Sequence, residues 1–194
     1  MEFYEQDVIS LARALLGQYL VTCIGGRRTV GKIVETEAYN GAEDRANHAF
    51  GNRRTARTEV MFGEAGRAYV YLCYGVHHLF NVVTGPPGDP SAVLIRAVEP
   101  VEGLEWMQER RGAHVVRSRL TNGPGKLCQA MGITLRENGT ELFRPGANVS
   151  IRPEESVKDD QIVCAKRVGV DYAREWKDKL WRFYISGHDD VSVK

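Results

Sequence analysis

From Val8 to Leu16 the apolar residues recur at helical spacing, with Asp7 placed to cap the first free backbone N–H groups and Gly17 placed to end the run. The pattern then changes to strand-like segments. QYLVTCI (18–24) and TVGKIVETEAY (29–39) read as two arms of a hairpin separated by Gly25, Gly26 and two arginines. Asn40 to Glu59 shows few helix or strand signals, and a loop of that length inside a compact fold is usually functional. RAYVYLCY and HHLFNVVT follow as β-prone runs joined across Gly75, and AVLIRAVE comes after the Pro/Gly-rich loop GPPGDP. Helical stretches are predicted at Glu102 to Arg111 and Lys126 to Met131, the second opened by NGPG and closed by Gly132. Two more strands near ANVSIR and QIVCAKRV precede a last helical segment around Ala173 to Lys179. The elements describe an α+β fold built on one mainly antiparallel sheet, with no internal repeat, in a single domain spanning 1–194.

Length and composition agree with this picture: 194 residues and 43% apolar content fit one well-buried globular domain. Acids at Glu2, Glu5 and Asp7 do not suit a secretory n-region, and no apolar run approaches the roughly 20 residues of a membrane span. A soluble, cytoplasmic protein is expected. The four cysteines, Cys23, Cys73, Cys128 and Cys164, lack zinc or disulfide spacing and read as buried thiols. A net charge of +1 does not by itself suggest a nucleic-acid partner. Distribution matters more, and Arg45, Arg53, Arg54 and Arg57 cluster in the long polar loop, where a merely solvated face is the simpler explanation.

Some residues carry possible chemistry. Strand alternation puts Glu35, Glu37 and Tyr39 on one face, either as a wet surface or as a site where one partly desolvated carboxylate activates a water. Spacing does not choose between Glu35 and Glu37. Tyr69 and Tyr71 share a strand face, with Tyr74 on the other side beside the Gly75 turn. Such rings are either core or a platform for a flat π-ligand, and a tyrosine at a hairpin tip suits a wedge. The five histidines show no metal-binding spacing. His48 draws interest only from its place in the long loop. Lys126, after Asn122 and the following glycines, either presents a charge to phosphate at a helix start or belongs to a plain cap.

VETEAYNGAEDRANHAF, TARTEVMF, AYVYLCYGVHHLFNVVT, VLIRAVEPVEGLE and NGPGKLCQAMGI, together with GVDYAREWKDKLWRFYISG, resemble the mammalian-type alkyladenine (3-methyladenine) DNA glycosylase family, which also has bacterial members. The resemblance implies a curved antiparallel sheet with peripheral helices and a protruding hairpin that intercalates into DNA. It implies a monofunctional enzyme of base excision repair, which flips 3-methyladenine, 7-methylguanine or hypoxanthine out of double-stranded DNA and hydrolyses the N-glycosidic bond. No metal or other cofactor, no Schiff base and a monomeric state are expected. Glu37 matches the general base and Arg96 an arginine near the target phosphate. Tyr39, His48 and Tyr71 match the rings around the extruded base, and Asn81 the pocket floor. Tyr74 matches the wedge, while Arg53, Thr55, Arg57, Met61 and Lys126 are expected near the DNA. An unperturbed glutamate is already ionised at neutral pH, so Glu37 is expected to need no shifted pKa. A non-catalytic nucleic-acid-binding module and a small-molecule hydrolase are the competing readings.

Overall fold

The computed structural model describes residues 2–154 and 156–193. It is an α+β structure whose centre is an open sheet of eight strands, each pairing antiparallel. In chain order these are β1 (Tyr19–Ile24), β2 (Arg27–Tyr39), β3 (Ala68–Cys73), β4 (His77–Thr84), β5 (Ser91–Glu102), β6 (Val149–Arg152), β7 (Ile162–Ala165) and β8 (Arg182–Ile185). Their order is β3-β4-β5-β2-β1-β6, with β8 joining β2 to β7.

The long strand β2 organises the molecule. One of its edges pairs with β5 from Val30 to Tyr39, while the other pairs first with β1 and then, at Glu35 to Glu37, with β8. Register shifts near Gly31 and around Glu35 bend it, as extra residues in a ladder do. The β1–β2 turn consists of Gly25 and Gly26 alone, with φ of 64° and 73°, so Arg27 and Arg28 belong to the strand. Two consecutive positive φ values are what a tight hairpin turn demands.

Helix α1 (Val8–Ala14) is capped as expected by Asp7, whose carboxylate accepts from the N–H groups of Ile9 and Ser10. It packs on β2 and β5 through Leu11 and neighbouring Leu15. Helices α2 (Leu104–Arg111) and α3 (Pro124–Met131) add Met107, Leu127 and Met131 to the same core, around Phe80 and Ile95. On the opposite side the central strands are covered by the 40–62 loop and by chain from 167 onward, so Leu79–Thr84 and Ser91–Val98 are buried without alternation. Strands covered on both faces lose the period-two signal.

Several expectations need correction. Ala173 to Lys179 is not an α-helix: Asp171–Asp178 forms 3-10 turns interrupted at Arg174, where φ is 53°. Strand β8 was not anticipated. Among the cysteines only Cys128 is buried; Cys23 and Cys164 are exposed and Cys73 is intermediate, all as free thiols. Glu102 ends β5 rather than starting a helix, and Gly103, at φ 76°, makes the join to α2. Among the described residues, no helix is long and apolar enough to cross a membrane.

The Gly103 joint is tight enough to test. A Cβ there would lie 2.3 Å from the Arg28 carbonyl oxygen, in a backbone conformation that side chains avoid. Gly103→Ala is expected to lower unfolding free energy by about 1–3 kcal/mol; an unchanged urea midpoint would contradict the close approach.

Candidate active site

A cleft of about 470 Å³ opens where the end of β2, the 40–62 loop, the β3–β4 hairpin and the 168–172 segment meet. Polar residues shape the loop. Asp44 accepts from the N–H groups of Asn40 and Ala46, while Asn47 donates to the Pro90 carbonyl (2.8 Å) and accepts from Ala49 N–H. These side chains replace the hydrogen bonds a strand would have supplied. Beneath the cleft, Arg167 grips Asp44 with both terminal nitrogens, one at 2.9 Å, with neither side chain exposed to solvent. The same guanidinium donates to the Ala38 and Trp176 carbonyls and lies 4.8 Å from the Tyr39 ring centroid and 5.2 Å from that of Trp181.

Glu35 and Glu37 are both fully buried, so the wet-surface reading of VETEAY fails. Their environments differ. Glu35 accepts from Arg96 (3.1 Å) and Arg182 (2.9 Å) on one oxygen and from Ser192 N–H (2.7 Å) on the other. Glu37 pairs with Arg96 (3.2 Å) and accepts from Val168 N–H (2.7 Å) and the Tyr39 hydroxyl (2.8 Å). Three of its partners, Arg96, Val168 and Tyr39, line the cleft. Glu37 is therefore the carboxylate beside the cleft, and Glu35 is the one that holds Arg96.

Burial raises the Glu37 pKa, more than Arg96, the Val168 N–H and the Tyr39 hydroxyl lower it. The expectation of an ordinary carboxylate is thus corrected: removal from water disfavours the ionised form. Arg96 is only 6% exposed, and its guanidinium is engaged by Glu35, Glu37 and the Ser192 hydroxyl, so it is a buried bridge in the cleft wall.

The aromatic wall comes mainly from β3. His48 meets Tyr71 edge-on at 4.5 Å, Tyr69 and Tyr71 are 5.4 Å apart, and His48 Nδ1 lies 2.9 Å from the Tyr69 hydroxyl. Burial and the charge of Arg57 push the His48 pKa down to about 4. Its ring is neutral at physiological pH. A terminal nitrogen of Arg57 sits 3.3 Å from His48 Nε2, and a guanidinium only donates, so Nε2 accepts and Nδ1 carries the hydrogen. Burial likewise raises the Tyr39 and Tyr71 hydroxyls, which stay protonated. Asn81, opposite Tyr69 in the hairpin register, donates to the Tyr69 carbonyl (3.1 Å) and lies in the cleft wall. Met61, expected near the DNA strands, is buried at 2% exposure and packs against Tyr69 in that wall.

Tyr74 stands at the tip of the hairpin, 93% exposed with φ of 50°. A bulky residue in that conformation, with its ring in water, is costly to the isolated protein, a pattern found at functional positions. Arg53 and Thr55 are exposed on the neighbouring loop, while Arg54 is bonded twice to Glu59 and Arg45 lies over Phe50. Lys126 is exposed but turned onto Asn122, with its pKa lowered by partial burial and by Arg111 and Arg119. It lies outside the cleft, although the neighbouring Gly125 packs on His77 next to the hairpin turn.

Sequence reading missed Asp44, Arg167, Val168 and Tyr172. The Asp44–Arg167 pair spans 123 positions, and Val168 acts through its backbone, so neither leaves a local signal. Tyr172, whose hydroxyl donates to the Ala46 carbonyl, was visible only as part of the segment resembling the family. Among the described residues no three His, Cys, Asp or Glu side chains gather as metal ligands would.

Comparison with known proteins gives a consistent outcome. The family described as methylpurine-DNA glycosylase matches residues 2–189. Relatives from Bacillus cereus (strain AH820) and Bacillus anthracis (strain A0248), assigned as 3-methyladenine DNA glycosylases, are each 49% identical over 199 residues, covering 99% of this chain and 97% of their own length.

The buried Asp44–Arg167 pair supports the cleft from below. Arg167→Met is expected to cost about 3–5 kcal/mol in denaturant unfolding, because it strands a buried carboxylate. Adding Asp44→Leu should recover a large part of that loss; strict additivity of the two substitutions would argue against the pairing.

Proposed function

Because this chain belongs to the methylpurine-DNA glycosylase family and is a DNA glycosylase, we propose that it turns 3-methyladenine and related damaged purines out of duplex DNA into the aromatic cleft and hydrolyses their bond to deoxyribose. The observation that carries this reading is the placing of Glu37 directly behind the cleft wall, held by Arg96, Val168 N–H and Tyr39.

An N-alkylated purine carries positive charge, and the faces of Tyr39 and Tyr71 attract a cation, at about 0.5–2 kcal/mol per contact. The neutral His48 does not repel it. The charge also makes the base a good leaving group, so the protein has mainly to expose the sugar carbon and aim a water. Glu37 does the second. A water approaching along the Tyr39 edge reaches its carboxylate, which its raised pKa makes a stronger base than an ordinary glutamate. The carboxylate also faces the positive charge that develops on the sugar as the bond breaks.

The tip residue Tyr74 fills the gap left in the base stack, in the manner of an intercalating wedge. In this reading Arg57 at the cleft and the exposed Arg53, Thr55 and Lys126 outside it face the phosphate backbone. The product is an abasic site with intact strands. 7-Methylguanine fits the same scheme. Hypoxanthine is neutral, so its release needs a proton that an alkylated base does not.

Incubation with a duplex bearing one alkylated purine, followed by hot alkali, is expected to give breaks at the lesion. Glu37→Gln should bind that duplex yet release no base; retained turnover would remove Glu37 from its role and favour a water activated elsewhere. Tyr74→Ser should weaken lesion binding more than Tyr39→Phe does, as read by gel-shift titration.

The pH profile provides an independent check. Glu37 acts when deprotonated, so the single-turnover rate on a permanently cationic base should rise with pH through its pKa. Because burial raises that pKa, the acid limb should lie above the ordinary glutamate range. A rate still flat at and below that range would exclude a buried carboxylate as the base.

A further inference from the structure

The cleft already holds a planar cation, supplied by the protein itself. Arg57, from the loop before β3, places its guanidinium carbon 4.7 Å from the centroid of the Tyr71 ring and a terminal nitrogen 3.3 Å from His48 Nε2. The residue is one of those lining the cleft, and its outer side is exposed. Its charge acts on His48, Tyr69 and Tyr71 alike. Among the described residues no carboxylate lies within ion-pairing distance of Arg57, whereas its neighbour Arg54 is committed to Glu59. Arg57 is thus held in place by the aromatic wall and one imidazole nitrogen.

We propose that Arg57 is a built-in competitor for the base site: in the free enzyme its guanidinium covers the Tyr71 face that a damaged base takes, and a base enters by displacing it. The inference rests on the cleft being the base pocket. A guanidinium and an alkylated purine are both flat, delocalised cations that stack on π-faces. They compete for one ring, and like charges at contact distance exclude each other. The stacked arginine lowers occupancy by every base by the same factor, as any closed state of a pocket does. A damaged base fills the cleft under this handicap, whereas an undamaged duplex, which binds without placing a base in the cleft, does not feel it. The side chain has an exposed path outward, toward the phosphates of the bound duplex.

The test compares two affinities in a Glu37→Gln background, so that no base is released: for a duplex with one 7-methylguanine, a cationic base, and for the same duplex undamaged. Any contact of Arg57 with phosphate affects both duplexes and cancels in their ratio. Adding Arg57→Ala is expected to raise the preference for the damaged duplex by roughly threefold to thirtyfold, the factor that one cation–π contact represents. Arg57→Lys, which keeps the charge but lacks the flat fork, should fall between. A preference that is unchanged or reduced by Arg57→Ala overturns the proposal, because the arginine would then be neutral toward the bound base or would support it. If the Glu37→Gln protein itself shows no preference, and Tyr71→Ala changes nothing, the base-pocket reading fails and the proposal with it.

Discussion

The site depends on Arg96, the cation shared by two carboxylates that have no access to solvent. Withdrawing such groups from water costs several kcal/mol each unless their charges and lone pairs are met. Here Arg182 adds a second cation at Glu35, and Ser192 N–H and Val168 N–H fill remaining acceptor positions. Asp44 and Arg167 repeat the arrangement below Tyr39. Three acids and three arginines are therefore matched within the protein. The matching is uneven: Glu35 faces two arginines and Glu37 one, and burial raises the proton affinity of Glu37.

That internal matching also explains why composition was a poor guide to the partner. Arg96, Arg167 and Arg182 are engaged by Glu35, Glu37 and Asp44, so the net charge of +1 says little about what the outer surface presents. The cleft in turn does not depend on fixed negative charge at its wall. Its wall is built largely of rings, and its one imidazole is neutral.

The sheet was legible where local rules govern it. Gly25 with Gly26 and the Gly75 turn marked the hairpins, and Asp7 marked the first helix. Strand β8 was not, because Arg182 interrupts its apolar pattern and makes sense only against Glu35, 147 positions away. The 171–178 segment has helical composition, yet it is bent to carry Trp176 and Tyr172 against the loop around Asp44 and Ala46. For the site, alternation put Glu35, Glu37 and Tyr39 together but left the two acids equivalent. What separates them is the set of distant groups each one faces. The Glu37 shift was unreadable for the same reason, since burial on both faces of β2 is decided by segments far along the chain.

The partners of the two glutamates come from positions 96, 168, 182 and 192, while the acids themselves lie at 35 and 37. Made from its N-terminus on the ribosome, the chain can lay down the β3–β4–β5 meander early, with β2 beside it, but the two glutamates then wait for cations and amides not yet synthesised. A product truncated before residue 182 would contain every aromatic of the β3–β4 hairpin, with Arg96 and Val168, while lacking the second cation and the amide that complete the partners of Glu35.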